Sequence, residues 1–128
     1  MLRAMILAFV VSLAGGPALA HPHVWVTART AVIFDASGKV TALRHAWTFD
    51  ELYSVFQVQG AATKDGLATK EALADLARLQ IENLKEYGWF SYPKVAGQPI
   101  GFGAPRDESL EQTPDKLVTL RFTLPLER

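Results

Sequence analysis

Alternating apolar and polar side chains predict a β-hairpin near the start of the chain. From Val24 to Phe34 most even-numbered residues are apolar, which is the two-residue period of a half-buried strand. Residues 35 to 38, Asp-Ala-Ser-Gly, have the composition of a turn, and a second strand follows from Lys39 to about Phe49. Residues 24 to 49 are therefore expected to form one antiparallel pair of strands.

The register of this hairpin decides which residues meet at its open end. A four-residue loop pairs Phe34 with Lys39 and puts His23 opposite Asp50, whereas a three-residue loop puts His23 opposite Glu51. Directly opposed residues have Cβ atoms about 4.5–5.5 Å apart. In both registers a carboxylate is expected beside His23.

Two helices are predicted after the hairpin. Asp50 can cap a short helix that runs to Phe56. Thr69 can cap a long helix that ends at Gly88. The inward positions of the long helix are apolar or aromatic residues at helical spacing, namely Leu73, Leu76, Ala77, Ile81, Leu84 and Tyr87.

The C-terminal third predicts further strands. Residues 89 to 92 and 100 to 102 are expected to be short strands of a second hairpin, and residues 104 to 115, which contain two prolines, are expected to be a loop. Residues 117 to 124 alternate and predict the last strand. The expected fold class is therefore α+β, an antiparallel sheet of the N-terminal hairpin, the second hairpin and the C-terminal strand, with one short and one long helix packed on it.

The first twenty residues have the pattern of a secretory signal peptide. Arg3 supplies a positive charge, residues 6 to 14 are apolar, and Ala18-Leu19-Ala20 is a small-x-small cleavage site. Cleavage after Ala20 would make His21 the new N-terminus. Residues 21 to 128 are then expected to form a single small domain.

Charge and cysteine content narrow the possible partners and ligands. The chain has 13 basic and 13 acidic side chains, and removal of Arg3 leaves 12 against 13, a formal charge of −1. Nothing in this balance indicates nucleic acid or an anionic membrane as a partner. Because the chain has no cysteine, disulfides and thiolate metal sites are excluded, and imidazole, carboxylate and the terminal amine remain as candidate metal ligands.

The histidines at the predicted cleavage site are the strongest candidate chemistry. His21 and His23, with a carboxylate from the facing strand, would give mixed nitrogen and oxygen ligands that suit zinc, and imidazole also suits nickel, cobalt and copper. His23 would be the third residue after cleavage, the position of the histidine in square-planar sites that use deprotonated backbone amides as ligands. Such a site is disfavoured, because Pro22 has no N–H to deprotonate. Asp50 is the next candidate ligand, followed by Glu51 and His45.

Each candidate also has a simpler interpretation. The two N-terminal histidines can be solvated residues without a ligand, Asp50 can be only a helix cap, and His45 can be a packed side chain beside Trp47. Residues 61 to 71 have the outline of a calcium loop but lack the required oxygen ligands at its first and twelfth positions. Four aromatic residues can line a pocket or simply pack in the core, namely Tyr53, Trp89, Phe90 and Tyr92.

Three motifs in combination resemble a known family. They are residues 21 to 25 at the cleavage site, residues 47 to 54 with the sequence Trp-Thr-Phe-Asp-Glu-Leu-Tyr-Ser, and residues 82 to 84 in the long helix. The chain resembles the exported bacterial proteins of domain of unknown function family 1007, often labelled as substrate-binding components of metal transporters. The resemblance implies a role in the transport of divalent metals, because such proteins are commonly encoded beside nickel/cobalt-type membrane transporters. It also implies zinc as a plausible cargo and implies no enzymatic activity. Members usually continue with further strands, so residues 21 to 128 are expected to be a version shortened at the C-terminus.

These observations predict a periplasmic accessory protein that binds zinc, nickel or cobalt and hands it to an inner-membrane divalent-metal transporter. The sequence has no Gly-x-Ser-x-Gly motif, no glycine-rich phosphate-binding loop and no His-Glu-x-x-His motif. The protein is therefore not expected to be an enzyme. One alternative is a copper enzyme in which the amine and imidazole of His21 join a second histidine, either His23 or His45. Another is a structural or interaction domain in which the histidines have no role.

Overall fold

A computed structural model describes residues 23–127, and its first feature is the predicted hairpin. Strand β1 spans Val26–Phe34 and strand β2 spans Val40–Phe49, and the two pair in antiparallel. The Oδ1 atom of Asp35 organises the turn because it accepts the N–H groups of Ser37 at 2.8 Å and Lys39 at 3.0 Å. The predicted signal peptide and His21 lie outside the described residues.

Neither predicted register describes the open end of the hairpin. Near the turn, Phe34 pairs with Val40, as a three-residue loop requires, but Ile33 pairs with Ala42. The extra residue on β2 is a β-bulge, which shifts the remaining pairs by one position. As a result Trp25 lies opposite Asp50, whose backbone N–H donates to the Trp25 carbonyl oxygen over 2.9 Å.

Both predicted helices form and both begin at the predicted caps. Helix α1 spans Glu51–Gln57, and helix α2 spans Lys70–Leu84. Asp50 accepts the N–H of Tyr53 at 2.7 Å, and Thr69 Oγ1 accepts the N–H of Ala72 at 3.2 Å. A 3₁₀ segment, Lys85–Phe90, follows directly after α2. Gly88 and Trp89 have left-handed φ angles of 57° and 49°, so the right-handed helical backbone ends at Gly88, as predicted.

Two short ribbons lie outside the main sheet. Strands β3 (Thr63–Lys64) and β4 (Leu67–Ala68) form one ribbon, and β5 (Lys94–Val95) and β6 (Gln98–Pro99) form the other. The second ribbon is centred where the second hairpin was predicted. However, the strand predicted over residues 89 to 92 is wrong, since these residues include the end of the 3₁₀ helix, and Phe102 makes only a single bridge to Leu126.

The fourth strand of the main sheet is one that the sequence did not predict. Strand β7 spans Arg106–Gln112 and strand β8 spans Val118–Pro125, and the order of the sheet is β1-β2-β8-β7. The prediction of a loop over residues 104 to 115 is therefore wrong. The reason is that β7 is an edge strand with mostly polar side chains, of which only Leu110 is buried, so it carries almost no hydrophobic period.

The hydrophobic core lies between α2 and one half of the sheet. Its buried side chains come from α2 and from β7 and β8, namely Leu73, Ala77, Ile81, Leu110, Val118, Leu120, Phe122 and Leu124. Strand β1 remains outside this core, and its apolar residues Val26 and Val32 are 44% and 46% exposed. The class is α+β with an antiparallel sheet, as predicted. Within residues 23–127, no helix is long and apolar enough to span a membrane.

Candidate functional site

Asp50 connects the first residues of the described chain to the start of α1. Its Oδ2 atom accepts the N–H of Trp25 at 2.7 Å, and its Oδ1 atom accepts the N–H of Tyr53 at 2.7 Å. These backbone hydrogen bonds, with that of Tyr53 the strongest, lower the pKa of Asp50 below its ordinary value. The carboxylate is therefore ionised and fixed in position, and each oxygen keeps a lone pair that can bind a cation.

The other predicted ligands at this end are exposed to solvent. His23 and Glu51 are both exposed. His23 is two residues before Trp25, a separation of about 7 Å along an extended chain. His21 lies outside the described residues. Among residues 23–127, no group of three or more histidine, aspartate or glutamate side chains is arranged to hold a metal ion, so a complete site at this end needs a ligand from the preceding residues.

His45 is far from this end and is held by its neighbours. It lies on β2, five residues before Asp50, a separation of about 16 Å along an extended chain. Its Nδ1 atom is 2.8 Å from Thr30 Oγ1, and its Nε2 atom is 2.9 Å from Ser91 Oγ. Because the Ser91 hydroxyl donates to the carbonyl oxygen of Trp89 at 2.9 Å, we assign the proton to Nε2, which donates to Ser91, while Nδ1 accepts from Thr30.

The surroundings of His45 keep it uncharged. Its side chain is only 6% exposed, and its ring centroid lies 5.1 Å from that of Phe122 and 5.6 Å from that of Trp47. Burial lowers the pKa of His45 below its ordinary value. The described geometry matches the packed-histidine interpretation and does not bring His45 to Asp50 or His23.

His45 forms part of the wall of an open cavity of about 600 Å³. The cavity lies where the inner face of β1 and β2 is left uncovered by α2. Strand β1 contributes Val26, Ala28 and Thr30, and strand β2 contributes His45, Trp47 and Phe49. These residues alternate along their strands, because every second side chain points to the same face of a sheet.

The opposite wall comes from the helices and from the segment that follows them. Helix α2 contributes Gln80, Asn83 and Leu84, and the residues after it contribute Phe90 and Ser91. Among residues 23–127, no aspartate, glutamate, lysine or arginine lines the cavity. Its walls are therefore apolar and aromatic, with a small number of uncharged polar groups.

A strained turn places Phe90 and Ser91 at this wall. Gly88, Trp89 and Phe90 have φ angles of 57°, 49° and 49°, so three consecutive residues adopt the left-handed conformation. This conformation costs roughly 1–2 kcal/mol for each residue that has a side chain. The turn is held by two side chains, since Trp89 Nε1 donates to the Ile81 carbonyl oxygen over 3.0 Å and Ser91 bonds to His45.

Sequence reasoning identified only part of this cavity. Of the four aromatic residues considered for a pocket, Tyr53 and Phe90 line it, whereas Trp89 packs against the core and Tyr92 is 75% exposed. The sequence gives no signal for Thr30 or Ser91, and Asn83 stands out only as part of the motif of residues 82 to 84. The alternation of β1 and β2 was visible, but it did not reveal that α2 covers the other half of the sheet.

Comparison with known proteins identifies a family and no individual relative. No curated protein and no solved structure matches this chain. A family model described as "Protein of unknown function (DUF1007)" matches residues 6–128. Since this match covers nearly the whole chain, the resemblance inferred from the motifs is confirmed, and the chain belongs to the DUF1007 family.

Proposed function

We propose that this protein is a periplasmic accessory protein that captures a divalent transition metal and passes it to an inner-membrane transporter. Zinc is the preferred cargo of the proposal, with nickel and cobalt as alternatives. The ligands would be His21 and His23, together with one carboxylate, that of Asp50 or, as second choice, that of Glu51. His45 is left out because its two ring nitrogens are engaged elsewhere.

The observation that carries the proposal is the hydrogen bond from the Trp25 N–H to Asp50 Oδ2, at 2.7 Å. It holds an ionised carboxylate beside the chain that leads back to the two histidines. In an extended chain, alternate residues project to the same side. An extended continuation of β1 would therefore align His21 and His23 with Trp25, the residue that faces Asp50.

Exposure at this end supports capture and release rather than permanent retention. His23 and Glu51 are both exposed, and two imidazoles with one carboxylate leave a position in a tetrahedral zinc site for water or for a ligand from a partner. A transporter can therefore approach the ion directly. This suits a cargo site, whereas a structural zinc site is closed by four protein ligands.

Calorimetric titration of the processed protein with zinc, nickel, cobalt and copper tests this proposal. We expect binding of at least one of these ions, and its loss in a His21→Ala/His23→Ala variant. The proposal is wrong if the variant binds every ion as tightly as the unchanged protein. Redox turnover with bound copper would support the alternative of a copper enzyme instead.

Asp50→Asn removes the charge of the candidate ligand and keeps an oxygen that can cap α1, while the amide nitrogen cannot accept the N–H of Trp25. Asparagine is as good a helix cap as aspartate, so the variant is expected to fold but to bind zinc at least about tenfold more weakly. Asp35→Asn is the matched control, because Asp35 is at the other end of the same hairpin. Equal zinc affinities of the two variants would mean that Asp50 is not a zinc ligand.

The proposed location has its own test. N-terminal sequencing of the protein recovered from a periplasmic fraction is expected to begin at His21. Recovery of a chain that still begins with Met1 would contradict export by cleavage after Ala20.

A further inference from the structure

We propose that the cavity between β1, β2 and α2 binds an uncharged, largely apolar aromatic compound. The residues that line it include none of His23, Asp50 and Glu51, although Val24 and Phe49 are direct chain neighbours of two of them. Its volume, about 600 Å³, lies within the range of roughly 300–1,000 Å³ that is usual for small-molecule sites. The cavity exists because α2 packs over β7 and β8 and leaves the inner face of β1 without a covering element among the described residues.

The absence of charge along the walls selects against charged ligands. In the part of the chain that the structure describes, the cavity lining contains no aspartate, glutamate, lysine or arginine, and burial favours the neutral form of its imidazole, that of His45, by lowering its pKa. An ionic ligand would lose part of its hydration on entry without gaining an opposite charge. The site therefore favours molecules without a formal charge.

The shape and chemistry of the walls favour a flat ring system. Four aromatic side chains line the cavity, namely Trp47, Phe49, Tyr53 and Phe90. Trp47 and Phe90 already face each other with ring centroids 6.4 Å apart. Aromatic rings gain from offset or edge-to-face contacts with further rings, so a planar aromatic compound matches these walls better than a bulky aliphatic one does.

A few polar groups can orient the bound compound. Thr30, His45 and Ser91 form one hydrogen-bonded group at the wall, and Tyr53 and Asn83 reach the same cavity. The Thr30 hydroxyl donates its proton to His45 and keeps its lone pairs, and Ser91 Oγ keeps a lone pair beyond the one that accepts from His45. A ligand that carries one hydroxyl or N–H donor can bond to these oxygen atoms.

The left-handed turn of residues 88–90 gives independent support. Non-glycine residues in this conformation are uncommon and concentrate at functional sites. Here the turn places the Phe90 ring and the Ser91 hydroxyl on the cavity wall.

Two fluorescent probes with the same ring skeleton test the proposal. N-phenyl-1-naphthylamine is neutral, and 8-anilinonaphthalene-1-sulfonate adds a sulfonate to the same rings. In the presence of a metal chelator, we expect saturable binding of the neutral probe, with an affinity at least about tenfold above that of the sulfonate. The chelator keeps the outcome independent of metal binding. Equal affinities, or no binding of the neutral probe, would overturn the proposal.

A pair of matched variants locates the probe. Ala28→Phe fills the cavity from β1, and Ala31→Phe places the same side chain on the other face of the same strand. Both positions are exposed, so both variants are expected to fold. We expect Ala28→Phe to weaken binding of the neutral probe at least about tenfold and Ala31→Phe to leave it unchanged.

The competing occupant of this face is a second copy of the chain. Sedimentation equilibrium without probe is expected to give a monomer. If the protein is instead a dimer that Ala28→Phe dissociates, the open face of β1 is a subunit interface and the small-molecule proposal is wrong.

Discussion

Asp50 and Trp25 are joined by two hydrogen bonds at the open end of the hairpin. The Asp50 N–H donates to the Trp25 carbonyl oxygen over 2.9 Å, and the Trp25 N–H donates to the Asp50 carboxylate over 2.7 Å. The same carboxylate caps α1. The Asp50 side chain therefore holds the residue before β1 and the start of α1 in place. The same side chain is the candidate metal ligand.

The ionised form of Asp50 is expected to make the fold sensitive to acid. Its pKa is lowered in the folded protein from an ordinary value of 3.8. The stabilisation that it gives is complete above that value and is lost as the pH falls through the lowered pKa. We predict that Asp50→Asn reduces the loss of stability below about pH 4. Thermal denaturation from pH 7 to pH 2 measures this, and an unchanged acid dependence would contradict it.

Ser54 is expected to be essential for the contact between α1 and the sheet. Its side chain is fully buried, and its hydroxyl accepts the N–H of Val118 at 3.0 Å and donates to the Phe49 carbonyl oxygen at 3.2 Å. Ser54→Ala leaves these backbone groups without that partner, at a cost of about 1–3 kcal/mol. Urea denaturation measures the change. The exposed Ser37→Ala control is expected to change stability by less than about 0.5 kcal/mol.

Phe122 and Phe34 are predicted to differ strongly when each is replaced by alanine. Phe122 is fully buried in the core, whereas Phe34 is 59% exposed at the end of β1. Phe122→Ala should lower the free energy of unfolding by about 3–5 kcal/mol, and Phe34→Ala by much less. Similar losses in urea denaturation would mean that the end of β1 is covered in solution.

Burial of His45 predicts a second pH dependence at higher pH. Its pKa is lowered from an ordinary value of 6.5, so the unfolded chain binds a proton at this position at a higher pH than the folded chain does. Stability is therefore complete above the ordinary value and falls as the pH is lowered from there through the folded pKa. We predict that His45→Gln removes this dependence in chemical denaturation between pH 7 and pH 5. The prediction fails if the slope in that range is the same with and without His45.

Local signals in the sequence predicted the elements that depend on them. The caps Asp50 and Thr69 and the turn at Gly38 act through hydrogen bonds or backbone preferences within a few residues, and all three occur as expected. Strand β7 was not predicted, because its mostly polar side chains show no strand pattern and it is its pairing with β8 that makes it a strand. Pairing between strands that are distant in sequence cannot be deduced from the local pattern of apolar and polar residues.

The candidate sites were harder to predict for a related reason. Relative to the four-residue loop, the pairing of Phe34 with Val40 shifts the register by one residue, and the bulge between Ile33 and Phe34 shifts it by one more. Together the two shifts place Trp25 rather than His23 opposite Asp50. The cavity depends on which half of the sheet α2 covers and on a left-handed turn at Trp89 and Phe90. The bulge has no glycine, asparagine or aspartate to indicate it. In the turn, Gly88 indicates only the first residue, and nothing in the sequence indicates that Trp89 and Phe90 also adopt the left-handed conformation.

Zinc X-ray absorption spectroscopy of the processed protein, loaded with one equivalent of zinc, tests the central proposal most directly. Binding by His21, His23 and Asp50 predicts two imidazole nitrogens at about 2.0–2.1 Å, with oxygen ligands at about 2.0–2.2 Å. The spectrum of the His45→Gln variant should be the same. A spectrum with one imidazole or none, or one that loses an imidazole when His45 is replaced, would contradict the proposal.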